Sequence, residues 1–255
     1  MMQLAVPVVS LEQVAENIFV LTFRAPELAA RVQAGQFINI KVRDGLEPLL
    51  RRPYSVYRTD GENVAIIFNV VGKGSTALRC KRPGDALDVL GPLGVPFSLQ
   101  SDDYDTAVLV GGGLGVAPLP LSTQVLRSRR KRILTYLGAR SSRQLVTAHL
   151  DNVQAATDDG SEGFHGTVVD LLKRDAASFA SQRVKIFACG PTKMLRALAS
   201  VAMERNIPCE VSLEGPMACG FGICQGCPVE LVGAERKYAL MCKDGPTFDV
   251  RNIRI

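Results

Sequence analysis

Four cysteines towards the C-terminal end restrict this chain more than any other feature. In SLEGPMACGFGICQGC and the residues that follow, they fall at Cys219, Cys224, Cys227 and Cys242, with four, two and fourteen residues between them. A Cys-x4-Cys-x2-Cys triplet followed by one distant cysteine is the plant-type spacing that holds a 2Fe-2S cluster. The chemistry accounts for it: four thiolates must converge on two irons, so three come from one tight loop and the fourth from a returning strand. Gly220, Gly222 and Gly226 stand between the ligands, where the backbone must take positive φ or approach sulfur without a Cβ in the way. A structural zinc ion is the alternative for four clustered cysteines. Zinc ribbons, however, usually pair two short knuckles, whereas one uneven triplet stands here with one distant ligand.

A chain of 255 residues exceeds the roughly 100–200 of a single domain, so two domains and a small appendage are expected. With 47% hydrophobic and 22% charged residues it has an ordinary globular composition and material for a large core. No segment approaches the roughly 18 apolar residues of a membrane span. The opening MMQLAVPVVSLEQV lacks a basic region followed by a long apolar stretch and cleavage site, and reads as a first strand rather than a signal peptide. Seven cysteines is an odd count and four belong to the proposed metal site, which argues against a secreted disulfide framework. Cys80, Cys189 and Cys209 are expected as buried free thiols, and the cytoplasm as the location. The net charge is only +5, and the one dense basic run, Arg127 to Arg132, reads as a solvated helix end rather than a nucleic-acid surface.

The texture of the chain changes near its middle. Up to about residue 99, short alternating or β-branched segments (LAVPVVSLEQV, NIFVLTFRA, QFINIKV, YSVYRT, NVAIIFNVV) are separated by turn signals at Pro26, Gly35, Asp44-Gly45 and Asp60-Gly61. Closely spaced strands of this kind predict a small antiparallel β-barrel. From Thr106, apolar strands (AVLVGGG, RILTYLGAR, VQAAT, VKIFACG) alternate with helical patterns (PLPLSTQVLRSRR, TVVDLLKRD, TKMLRALASVAMERN), which predicts βαβ units on a parallel sheet. The turn-rich stretch Gly91 to Asp105 separates the two. The expected division is therefore 1–99, 100–210 and a small cysteine domain at 211–255.

Three further segments carry chemistry. In Arg51-Arg52-Pro53-Tyr54-Ser55-Val56, an aromatic ring beside a hydroxyl and a guanidinium suits a flavin, with the arginine on its pyrophosphate. On the residues alone, an ordinary edge or core strand is the commoner reading. The turn Gly72-Lys73-Gly74-Ser75-Thr76 leads into a helix and offers amides and hydroxyls to a phosphate, or is simply a capped turn; Walker spacing is absent. In VLVGGGLGVAPLP, Gly112, Gly113 and Gly115 lie between a strand and a helix, though the strict Gly-x-Gly-x-x-Gly fingerprint fails at Val116. Cys189-Gly190-Pro191 also follows a strand and opens a helix, so two strand ends can border one crevice. Thr157-Asp158-Asp159-Gly160-Ser161 lines that crevice or merely turns the chain.

Taken in order, Arg52-x-Tyr54-Ser55, Gly72-x-Gly74-Ser75-Thr76, Gly91-Pro92-Leu93-Gly94, GGGLGVAPL, DDGSEGFHGTVVD, CGP and the terminal cysteine set resemble the ferredoxin-NADP reductase superfamily. More narrowly, they resemble the family of electron-transfer subunits of type B, NAD-dependent dihydroorotate dehydrogenases. The resemblance runs over nearly the whole length. It implies an FAD-binding β-barrel, an NAD-binding α/β domain and a 2Fe-2S domain. It places Arg52, Pro53, Tyr54 and Ser55 at FAD, with Gly72, Gly74, Ser75 and Thr76 towards its phosphates. Gly112, Gly113 and Gly115 would border NAD, with Cys189, Gly190 and Pro191 across from them, and Cys219, Cys224, Cys227 and Cys242 would ligate iron. It further implies an FMN-containing catalytic partner in a heterotetramer of two of each subunit, so that this chain holds no catalytic residue for dihydroorotate. In keeping with that, His149 and His165 have no partnering motif. Two competing readings are a related reductase serving a ferredoxin, sulfide or hydrogenase system, and a zinc-stabilised nucleotide-binding module.

Overall fold

The computed structural model describes residues 1–43, 45, 47–179 and 182–255. Six antiparallel strands, β1 (Met2–Ala15), β2 (Ile18–Arg24), β3 (Phe37–Lys41), β4 (Arg52–Asp60), β5 (Asn63–Asn69) and β6 (Ala86–Leu93), close into a barrel in the order β1-β2-β5-β4-β3-β6. Alternation drives the closure: Leu87, Val89 and Leu93 of β6 are buried, as are Val6 and Val8 of β1. β6, which closes the barrel against β1 and β3, falls outside the strand segments named from the sequence. Its Gly91-Pro92-Leu93 end looks like a turn, yet Gly91 pairs with Met2 and Leu93 with Phe37. Pro26 opens a short helix, α1 (Pro26–Ala29), and between β5 and β6 lies α2 (Lys73–Arg79). The turn signal at Asp44 lies outside the described residues.

The second half is a seven-stranded sheet. β7 (Thr106–Gly112), β8 (Arg132–Ala139), β9 (Val153–Thr157), β10 (Phe164–His165), β11 (Val184–Cys189) and β12 (Cys209–Ser212) run parallel in the order β10-β9-β8-β7-β11-β12. The central strands β7 and β11 are buried along their whole length, as expected for a parallel sheet covered on both faces. Helices α3 (Leu119–Ser128), α4 (Val168–Asp175) and α5 (Thr192–Glu204) supply the crossovers. In α5 the buried residues Leu195, Leu198, Ala199 and Ala202 fall on one stripe at helical spacing. In α4, the Thr167 hydroxyl accepts from the Asp170 amide at 3.2 Å and so caps the helix.

Strand order reverses between β7 and β11, the switch point at which the carboxyl ends of parallel strands leave a crevice. The C-terminal segment holds the hairpin β13 (Pro228–Glu230) and β14 (Tyr238–Leu240), then α6 (Met241–Asp244) and β15 (Thr247–Asp249). β15 pairs antiparallel with β12 and adds an edge strand to the sheet. Two cores result: the barrel shares one with Leu109, Leu119, Leu137 and Phe187 of the sheet layer, and the opposite face packs with Val229, Met241 and Cys242. Among the described residues, no helix is long and apolar enough to cross a membrane.

Of the three cysteines expected as buried thiols, Cys189 and Cys209 are buried, whereas Cys80, the C-cap residue just past α2, is exposed. In the basic run, α3 ends at Ser128. Arg127 donates to Asp151 at 2.7 Å and Arg129 pairs with Asp102 at 2.9 Å, so local ion pairs occupy part of its charge.

Candidate functional site: two adjoining clefts and a cysteine loop

A cleft of about 410 Å³ opens between barrel and sheet. From β4 it receives Arg52, Pro53, Tyr54 and Ser55, and from the start of α2 it receives Gly72, Gly74 and Ser75. The far wall is Ser212 to Gly215 with Met217 and Pro246. Of the two adjacent arginines, Arg51 is tied to Asp88 of β6 at 2.6 Å, which leaves Arg52 to the cleft. Arg52 is held by the Leu50 carbonyl at 2.8 Å and lies against Gly74, where an added Cβ would be 3.2 Å from its Cγ. The Tyr54 ring meets Phe68 edge-on at 6.1 Å, and burial, opposed by Arg52, pushes its phenol up to about 12. Tyr54 is therefore a neutral, fixed aromatic wall at every physiological pH.

The turn before α2 behaves differently from a simple phosphate cradle. The Ser75 hydroxyl accepts from the Val71 and Gly72 amides at 2.9 and 3.2 Å and donates to the Gly72 carbonyl, so it holds the turn together. Thr76 faces an adjoining groove with Arg43, Lys73 and Lys81, and that groove shares Gly72 and Lys73 with the cleft. A ligand longer than the cleft has a path over the start of α2 into a groove of mixed charge, which Glu47 and Asp85 also line and where Lys73 pairs with Glu47 at 2.6 Å.

The second cleft, of about 590 Å³, lies at the carboxyl ends of the sheet strands. Gly112, Gly113 and Gly115 form one side, with Pro191 and Met194 facing them and Arg140 and Asp158 further along. Gly115 marks a close approach of two backbones: an added Cβ would sit 2.0 Å from the Cys189 carbonyl oxygen. Gly113 has φ +55 and open space on its side-chain face. Cys189 stands behind this surface, its thiol fully buried and donating to the Glu214 carboxylate at 3.7 Å. Burial and then the neighbouring Glu214 raise the thiol well above its ordinary value, so Cys189 is no nucleophile. Of the two histidines, His149 meets Tyr57 edge-on at 6.3 Å, and neither lines either cleft.

Three residues to which the sequence reading gave no role stand between the clefts. Asn69, Leu114 and Glu214 line both clefts, and so form the wall between them. Glu214 opens to the clefts yet is flanked by enough protein that desolvation raises its carboxyl above the ordinary range, an effect partly offset by the Cys189 thiol. Its only sequence signal is its position just after an apolar strand. The turn between β1 and β2 also reaches the second cleft, through Glu16, Asn17 and Ile18. Nothing in its sequence marks that contact, because it depends on how barrel and sheet dock.

The four sequence-selected cysteines come together in two pairs. Cys227 and Cys242 have their sulfurs 3.3 Å apart, and Cys219 is approached by both the thiol and the amide of Cys224, the amide at 3.5 Å. Although burial opposes it, the amides of Cys224, Phe221 and Ile223 lower the Cys219 thiol to about 6; burial and then Cys227 raise Cys242 to about 12. Among the described residues, no three Cys, His, Asp or Glu side chains converge on one ion position. A two-iron cluster takes its thiolates two by two, which is how these two sulfur pairs are arranged. The donor set therefore fits the cluster. Gly220 and Gly222 have φ +80 and +90, whereas Gly226 does not turn left-handed and Gln225 does, at φ 57.

Residues 5–97 match the family model described as oxidoreductase FAD-binding domain, and residues 214–254 match that of the iron-sulfur cluster binding domain of dihydroorotate dehydrogenase B. The chain is 39% identical over 250 residues to the dihydroorotate dehydrogenase B (NAD(+)) electron transfer subunit of Geobacillus kaustophilus, covering 94% of each chain. It is 38% identical over 248 residues to that of Geobacillus thermodenitrificans, again covering 94% of each. Among solved structures, a chain from a study of NADH-dependent reduced ferredoxin-NADP oxidoreductase superposes with a TM-score of 0.85 at 29% identity, covering 98% of this chain and 89% of that one. Barrel, switch-point sheet, paired thiols and these likenesses converge: the chain belongs to the family of electron transfer subunits of dihydroorotate dehydrogenase B.

Proposed function

We propose that this chain carries electrons between NAD and a partner that oxidises dihydroorotate, using FAD in the first cleft and a 2Fe-2S cluster on the cysteine loop. When bound, FAD and the cluster supply the conversion between two-electron hydride chemistry and single-electron transfer. The observation that carries the reading is the shared wall of Asn69, Leu114 and Glu214, which makes a ligand in one cleft the neighbour of a ligand in the other.

In this reading Tyr54, Pro53 and Ser55 hold the flavin ring and Arg52 its pyrophosphate, with Gly72, Gly74, Ser75 and Thr76 along the path to the adenosine half. Gly112, Gly113 and Gly115 admit the NAD backbone beside Pro191 and Gly190, with Cys189 acting from behind through Glu214. Cys219 and Cys224 take one iron and Cys227 and Cys242 the other. The working division is 1–99 for FAD, 100–210 for NAD and 211–255 for the cluster. The partner is an FMN-containing catalytic subunit, two of each chain assembling in the cytoplasm.

Anaerobic purification with a visible spectrum and pull-down tests the whole reading. Flavin and cluster absorbance, NADH-dependent dye reduction and copurification of a dihydroorotate-oxidising subunit are expected; dihydroorotate turnover by the isolated chain overturns the assignment. The likeness to the ferredoxin-NADP oxidoreductase chain gives a second reading its footing, a reductase serving another acceptor. Recovery of a ferredoxin-linked partner instead would select it.

A further inference from the structure

One side chain ties the barrel to the cysteine loop. Asn39, in the middle of β3, is 1% exposed and donates from Nδ2 to the Cys219 carbonyl at 3.0 Å, a contact between residues 180 apart in the chain. Its Oδ1 is buried and finds no donor among the described residues. The amide cannot be turned round to cure this, because Oδ1 would then face the Cys219 carbonyl, acceptor against acceptor. The orientation of the Asn39 amide is thus set by the Cys219 carbonyl.

Its surroundings say what that group does. The neighbours of Asn39 on β3 pair with the residues of the first cleft: Ile38 with Tyr54 and Phe37 with Ser55, while Asn39 itself pairs with Pro53. On its other side, an added Cβ on Gly220 would sit 2.0 Å from Asn39 Nδ2, so the loop is seated against the amide with no room for any side chain. Cys219 is the first cysteine of the loop, and its sulfur receives the Cys224 amide at 3.5 Å. Anything that lets the Cys219 peptide move changes the amides directed at that sulfur, and such hydrogen bonds set cluster potentials.

Resting on the cluster and flavin assignment above, we infer that Asn39 is a positioning residue. It fixes the Cys219 end of the cluster loop to the strand pair that holds the flavin, and thereby sets the hydrogen bonding of the cluster and its placement relative to FAD.

The test uses the full-length protein purified anaerobically, as wild type, Asn39→Ala and Asn39→Leu. The leucine variant removes both polar atoms but adds bulk against Gly220, and the alanine variant removes them without adding any, so a change common to both comes from the lost hydrogen bond. The readouts are the cluster midpoint potential and the g values of the reduced cluster by EPR, with FAD content and NADH-to-ferricyanide turnover as controls. Expected are a shifted cluster potential and altered g values in both variants, with flavin content and ferricyanide turnover unchanged. Loss of the cluster from the alanine variant with FAD retained also supports the role, since alanine adds no bulk against Gly220. Wild-type potential and g values in both variants overturn it. A wild-type protein with no cluster signal refutes instead the functional reading on which the inference rests.

Discussion

Replacing Gly115 by alanine tests whether the second cleft is built by the approach of two backbones. The added Cβ would lie 2.0 Å from the Cys189 oxygen, 2.4 Å from its carbonyl carbon and 2.7 Å from Gly190 Cα. All three are backbone atoms at the end of β11, so no side chain can swing away. Ordinary contact begins near 3.4 Å, and the two segments must part by about 1.4 Å. Overpacking of this kind costs about 1–3 kcal/mol, and at about 2–4 °C per kcal/mol it lowers the melting temperature by several degrees. The larger effect falls on chemistry, because Pro191 faces the glycines across the cleft and displacement of a reacting pair by about 1 Å costs about 100-fold. NADH-to-ferricyanide kinetics should show that loss in kcat/KM while bound FAD stays stoichiometric. Gly113→Ala is the contrast: its Cβ meets nothing within 4 Å and pays about 1–2 kcal/mol for φ +55, so any kinetic loss there comes from a methyl in the cleft. Wild-type KM, kcat and melting temperature in Gly115→Ala would refute the packing argument.

Cys224→Ser should remove the visible and EPR signature of the cluster and stop transfer between partner and FAD, with NADH-to-FAD reduction largely intact; loss of both activities with FAD still bound contradicts the order of carriers. For Glu214 the sign is set by its raised carboxyl: below the ordinary 4.5 folded and unfolded chains are both protonated, and above it the unfolded chain releases its proton first. Stability contributed by this group therefore falls as pH rises from 4.5 towards the raised value, and melting curves of Glu214→Gln should lack that slope. Lys185, whose side chain is 10% exposed, pairs with Glu210 at 3.0 Å and donates to Ser98 at 2.8 Å. Lys185→Met removes the cation from a largely buried Glu210 carboxylate that still accepts from the Ser98 amide at 2.9 Å, and should cost about 1.5–3 kcal/mol in a denaturant titration, with cluster and flavin content unchanged under native conditions.

The pattern of strands and helices was legible because each obeys a local rule. VQAAT and VKIFAC are apolar runs bounded by turn residues, and they form β9 and the buried centre of the sheet at β11. The cysteine spacing was legible for a similar reason, since a tight loop that brings three thiolates to two irons leaves little freedom in it, although Cys242 comes from α6 rather than from a returning strand. What escaped was non-local. β6 ends in Gly-Pro-Leu and becomes a strand only because β1 and β3 offer it two open edges. Glu16, Asn69 and Asn39 carry no motif; each matters for what another part of the chain brings against it. The commitment of the Ser75 hydroxyl to its own turn likewise appears only once Val71 and Gly72 are seen to donate to it.

The same distinction bears on the order of the carriers. In one level across the sheet, Gly111 pairs with Cys189, Cys189 with Ser212 and Ser212 with Thr247. Ser212 ends β12, and two residues later Glu214 stands between the clefts. Cys219 follows five residues after Glu214, and an extended chain of that length reaches at most about 18 Å. Covalent geometry alone thus bounds the distance from the wall shared by the two clefts to Cys219. Asn39 of the barrel then donates to the Cys219 carbonyl at 3.0 Å. A chain whose nucleotide cleft and cysteine loop served unrelated purposes would have no reason to hold both to the same short segment and the same strand pair. In the proposed assignment the order nucleotide cleft, flavin cleft, cysteine loop is compatible with this double constraint, with Glu214 at the first junction and Asn39 at the second.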